Sequence, residues 1–232
     1  MLETVHHNKM SVVVENALEG LIKLLFHENA LIKKSTSWFI LQVTENFTKS
    51  FDKDTLKTLI PTLVNCLNQE NSIAINICYS LVNLIKNLGD PNTIKNSNAI
   101  SPYFEDIFKE LLNVAFKEHS YNTEYNLFTA CFVTVNTLIE QSSHDKQDKL
   151  EEIIIYFLGL LENTTKVGAD NKVRDQQSSI ALSIHYAINK LIKVMSQDLA
   201  SKIYLTLVET FKQRQGVFEE AILCISSLAL SK

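Results

Sequence analysis

Six histidines and four cysteines are the residues of this 232-residue chain best suited to acid–base, nucleophilic or metal chemistry. His144, followed by Asp145, can be drawn as a base with an orienting carboxylate. No nucleophile motif accompanies the pair: the chain has no GxSxG elbow, no HExxH and no Gly-rich phosphate loop. His6 and His7 sit near a polar end, and His27, His119 and His144 in polar segments, so solvated turns are the expectation and catalysis is not. Cys66, Cys78, Cys131 and Cys224 each lie inside an apolar run with no CxxC among them. That spacing supports neither a zinc site nor a redox motif, and predicts buried free thiols in a reducing compartment. No cofactor or metal is expected. Asn46 and Asn163 head Asn-x-Thr triplets, which matter only in a secreted chain and are expected to stay unmodified.

Composition narrows the scaffold that must carry these groups. Hydrophobic residues make up 46% of the chain, ample for a large core, while Gly and Pro number only five and three. A chain so poor in turn formers cannot supply the many reversals of an all-β fold. Long helices with few connections fit. The 22 basic and 26 acidic residues give a net charge of −4, without the basic excess that displaces counterions from nucleic acid. Met1 to Met10 is polar, with no apolar signal core, and runs such as Ile153 to Leu161 are far shorter than the ~20 residues of a spanning helix. A soluble intracellular protein is expected.

Helical periodicity is almost continuous. The first pair is expected over residues 12–47, with Val14, Ala17, Leu18, Leu21 and Leu25 on one face of its first helix and Phe39, Ile40, Val43 and Phe47 spaced along its second. Further pairs are expected over 54–88, 103–141, 149–195 and 199–230. Pro102 stands at a helix start, where its missing N–H is no loss, and Gly216 in the last turn. Ten helices in five pairs, repeating at about 40 residues, carry the signature of HEAT or armadillo repeats. A helix pair cannot bury its apolar face alone, so pairs must stack, here as one all-α solenoid segment (an α-α superhelix) over 1–232. Two polar insertions, Gly89 to Ser101 and Thr165 to Arg174, read as connections.

The clearest unit, LKTLIPTLVNCLNQENSIAINICYSLVNLI from Leu56 to Ile85, is similar to the HEAT consensus, with Pro61 inside its first helix but without the consensus Asp and Arg. Five segments go further. KKSTSWFILQVTENF (Lys33 to Phe47) carries a Trp on the second helix. INICYSLVNLIKNL (Ile75 to Leu88) has Tyr79 where the related pattern has Trp. NLFTACFVTVNTLIEQSSHD (Asn126 to Asp145), DQQSSIALSIHYAINKLI (Asp175 to Ile192) and GVFEEAILCISSLA (Gly216 to Ala229) follow in order. Together they resemble the middle of an importin-β (karyopherin-β) nuclear transport receptor, over essentially the whole chain. The resemblance implies a fragment of about five repeats out of some nineteen.

It also implies that the second helix of each pair lines a concave surface for the importin-α adaptor or a basic cargo signal. Carried over by position, Trp38 leads, with Gln42 and Glu45 on its face. Tyr79 follows with Asn76 and Asn83, then Phe132 with Asn136 and Glu140, and His185 with Asn189. Aromatic rings there would stack on Arg or Lys, worth about 0.5–2 kcal/mol each. Lys34 departs from the pattern, which commonly has Asp one turn before the Trp, and a cation there would repel a basic ligand. Leu207, Phe211 and Phe218 are the expected share of an outer pocket for nucleoporin Phe-Gly repeats. The GTPase Ran is implied as a partner whose main contact lies outside this segment, and shuttling between cytoplasm and nucleus as the location. No nucleic acid or membrane partner is expected. The alternative is another HEAT scaffold, a phosphatase regulatory subunit or a vesicle-coat adaptor, families with more regular repeats and without the two insertions.

Overall fold

The computed structural model describes residues 13, 17–48, 51–89, 97–117, 121–164, 171–213 and 218–230. Among them every regular element is helical. The helical residues 17–24 form α1. They are followed by α2 (Ala30–Phe47), α3 (Lys53–Cys66), α4 (Asn71–Leu88), α5 (Phe104–Ala115), α6 (Tyr121–Glu140), α7 (Gln147–Thr164), α8 (Asn171–Leu191), α9 (Gln197–Gln213) and α10 (Phe218–Leu230). The second helices of successive pairs begin at Ala30, Asn71, Tyr121, Asn171 and Phe218, a HEAT-length interval rather than the 34 residues of a tetratricopeptide repeat. The chain divides into two compact units, Met1–Ser142 and Ser143–Lys232.

Local sequence sets the helix boundaries. Asn29 caps α2 by accepting from the Leu31 N–H at 2.9 Å, and Asp52 caps α3 by accepting from the Thr55 N–H at 2.7 Å. Asn98 precedes the 3-10 turn Ser101–Tyr103, its side-chain oxygen accepting from the N–H groups of Ile100 and Ser101. That turn, with Pro102 in it, leads into α5. The helix α3 runs through Pro61, whose ring is exposed and costs one N–H bond. The helix α8 starts at Asn171, four residues before the expected Asp175, so the second insertion is shorter than it reads.

In the first unit α2 packs on α4 and α4 on α6, while α3 and α5 lie against α4 and α6 from the other layer. Ile40, Leu59, Leu63, Ile77, Leu81 and Ile107 are completely buried between the layers, each side chain contributing about 1.5–3 kcal/mol relative to exposure. In the second unit α7 packs on α8 and α9, and α10 on α8 and α9, around Phe157, Ile184, Ile188 and Ile203. Both units are the stacked helix pairs expected for a HEAT-type all-α fold. No described helix is long and apolar enough to cross a membrane.

Candidate protein-docking face

Hydrogen bonds between neighbouring second helices fix their register. Asn76 donates from Nδ2 to the Ser37 hydroxyl at 3.0 Å, and Asn83 donates to the Leu41 carbonyl at 3.5 Å. Residues of α2 therefore align with residues of α4 numbered 39 to 42 higher. On the next seam the Thr134 hydroxyl donates to the Cys78 carbonyl at 3.2 Å, and the thiols of Cys78 and Cys131 touch at 3.9 Å. Residues of α4 thus align with residues of α6 numbered 53 to 56 higher.

This register sorts the solvent face of α2, α4 and α6 into rows. Trp38 (56% exposed), Tyr79 (39%) and Val133 (38%) form an apolar row. One turn on, Gln42, Asn83 and Asn136 form a half-buried amide row. Two turns on, Glu45, Lys86 and Glu140 form an exposed charged row. Each charge follows its apolar neighbour by seven residues, which returns a helix to nearly the same face. A shallow groove beside Trp38 is lined by Lys34, Phe39, Ser72, Ile75 and Asn76, and Lys34 is the one charge in that described lining.

The structure corrects part of the expected stripe. Phe132 is 3% exposed and packs edge-on against Phe116 and tilted on Phe128, so it is a core residue of the α5–α6 contact. Val133, one residue on and 100° round the helix, takes the exposed position. Asn76 and Asn83 are struts between α2 and α4, holding the helices that carry the two aromatics. His185 on α8 has the same office. Its Nδ1 meets the Ser227 hydroxyl of α10 at 3.1 Å and its Nε2 meets Asn189 at 3.1 Å. Partial burial of the ring depresses its pKa, against a smaller opposing push from a backbone hydrogen bond at Leu223.

Leu207 is 2% exposed and belongs to the core, so it cannot line an outer pocket. The side chains of Phe211 and Phe218 lie outside the described part. The outer helices of the second unit instead expose Ile155 and Tyr156 on α7, and Tyr204 and Leu205 on α9, helices that pack on each other.

The groups with reactive chemistry stand apart. His144 lies in a 3-10 turn with its Nδ1 against Gln147 at 3.0 Å, and Asp145 accepts from the Ser143 hydroxyl. All four cysteines are free and buried. Desolvation is the main force raising the thiol of Cys66 to about 11 and that of Cys224 to about 12. The Cys131 thiol is also pushed up, first by its hydrogen bond with Cys78 and then by burial. Such thiols stay protonated and inert. Among the described residues no group of three His, Cys, Asp or Glu could hold a metal.

Comparison with known proteins agrees with this architecture. Importin subunit beta-1 of Arabidopsis thaliana is 24% identical over 246 residues, covering 99% of this chain and 28% of that protein. A crystal structure of importin beta superposes with a TM-score of 0.86 at 20% identity, over 96% of this chain and 26% of that one. Kap95p superposes in its complex with Nup1 (TM-score 0.79, 18% identity, 96% of this chain and 26% of that one) and in one with RanGDP (0.75, 17%, 97% and 26%). The chain thus spans about a quarter of the length of the relatives it matches. Residues 58–231 match the family model for the TPR repeats of importin subunit beta-1-like proteins, and the chain belongs to that family.

Proposed function

We propose that this chain is a docking segment of a nuclear import receptor, and that the face of α2, α4 and α6 holds the importin-α adaptor or a cargo signal during passage between cytoplasm and nucleus. The observation that carries the reading is the exposure of Trp38 and Tyr79, level with each other on adjacent helices. An exposed indole beside an exposed phenol costs stability in water and gains it against a partner, by packing on an apolar side chain, a guanidinium or the stem of a lysine. Struts beneath them keep the two rings at a fixed separation, so little order has to be imposed on binding. Family membership displaces the reading as a phosphatase regulatory subunit or a vesicle-coat adaptor.

Nucleoporin Phe-Gly repeats are assigned to the outer helices of the second unit. Ile155, Tyr156 and Leu205 offer apolar surface there, and Kap95p has been crystallised with Nup1. Ran is a partner of the whole receptor, with its main contact outside this segment. The test is anisotropy of a labelled importin-α amino-terminal segment titrated with the chain. Trp38→Ala weakens binding at least about tenfold with helicity unchanged, since hot-spot aromatics cost about 2 kcal/mol or more. Equal binding by the variant refutes the docking face.

A further inference from the structure

The docking face carries exposed charges of both signs. Its charged row reads Glu45, Lys86, Glu140 across three adjacent helices, alternating in sign. Among the described residues none of the three is in an ion pair. Lys34 adds a second cation beside the apolar row, so the face carries two exposed carboxylates and two exposed ammonium groups. Seven residues at 1.5 Å put the apolar and charged rows about 10 Å apart on every helix. Packed helices lie about 8–10 Å from axis to axis, which sets the spacing along each row. A ligand helix about 10 Å across fits between the rows, lying over the amides and crossing α2, α4 and α6. Along such a ligand, seven residues advance about 10 Å, one step of the row.

We propose that the α2–α4–α6 face binds an amphipathic helix of mixed charge. Its apolar residues, spaced by sevens, sit on Trp38, Tyr79 and Val133. On its other edge a cation, a carboxylate and a second cation, again at sevens, meet Glu45, Lys86 and Glu140. This rests on the docking-face reading above and names the partner's chemistry: the face selects a charge pattern and not a total charge.

Three 18-residue helical peptides with leucines at seven-residue spacing test it against the 232-residue chain, by anisotropy at low and high salt. The second edge carries Lys-Glu-Lys in the first, Lys-Lys-Lys in the second and Glu-Lys-Glu in the third. The first binds tightest, with each mismatched contact costing about threefold at low salt and the differences shrinking in high salt. Lys86→Glu inverts the order of the first two peptides, and Trp38→Ala weakens all three. Tightest binding of the all-lysine peptide to the unaltered chain overturns the proposal, as does a Lys86→Glu variant that leaves the order intact. If the importin-α segment then still binds in a Trp38-dependent way, the docking face itself stands. If no segment binds, both readings fall.

Discussion

Three glycines meet different surroundings, so one substitution should act with opposite signs at different places. A methyl built on Gly89, the residue closing α4, falls 2.6 Å from the Ile85 carbonyl oxygen and 2.9 Å from the Gln141 Cβ. The oxygen cannot retreat cheaply, because the Gly89 N–H donates to it at 2.8 Å and ends the helix there. The backbone angles, φ −73° and ψ 149°, suit any residue, so contact alone opposes alanine. Overpacking of this kind costs about 1–3 kcal/mol, while the stiffer unfolded chain returns about 0.5–1. Gly89→Ala therefore destabilises by about 1–2 kcal/mol, a fall in Tm of about 3–8 °C for a unit of this size. Gly20 and Gly159 are helical, and a methyl added to either meets nothing within 4 Å. Alanine there removes the helix penalty of glycine and stabilises by about 0.5–1 kcal/mol. Thermal unfolding followed by circular dichroism at 222 nm ranks the three. A Gly89→Ala variant that melts at or above the Gly159→Ala variant refutes the contact argument.

Phe132→Ala costs about 3–5 kcal/mol in urea unfolding, because it empties a site between Phe116 and Phe128. Its effect on peptide affinity is small once the remaining folded fraction is counted, the reverse of Trp38→Ala. Cys66 and Cys224, with thiols at about 11 and 12, resist a thiol-exchange reagent at pH 8 and react at once in denaturant. Fast labelling of the native chain would contradict their burial. His185 has a folded pKa below its unfolded value, so the unfolded chain binds the proton more readily. Its contribution is complete above the unfolded pKa of about 6.5 and is lost as pH falls through the folded pKa. A His185→Asn variant flattens the pH dependence of urea midpoints below about pH 6.5, and an unchanged slope would sink this assignment.

The helices were legible because apolar residues recur at helical spacing and the polar breaks between them are short. The start of α8 was not, because its first turn, from Asn171, contains one apolar residue, Val173, and otherwise reads as loop. The sequence pointed to Trp38 and Tyr79 as side chains off the core, and both are exposed. It failed at Phe132 because hydrophobicity alone cannot tell a buried phenylalanine from its exposed neighbour Val133. The seven-residue step to Glu140, repeated from Trp38 to Glu45 and Tyr79 to Lys86, was the available signal. Asn76 and Asn83 could not be recognised as struts, since an asparagine within a helix bonds to whichever neighbour the stack provides. Leu207 was misplaced for want of the register between α7 and α9, which only coordinates supply.

The second helices of the first unit carry buried hydroxyl side chains that bond backwards along their own helix. Ser80 donates to the Asn76 carbonyl at 2.8 Å, Thr44 to the Leu41 carbonyl at 2.9 Å, and Thr137 to the Val133 carbonyl at 2.8 Å. A hydroxyl satisfied by its own helix makes no demand on the neighbour it touches. The register of the seams in the first unit thus rests on a few cross-links, Asn76 to Ser37 and Thr134 to Cys78 among them, while the self-bonded hydroxyls fill space without fixing it.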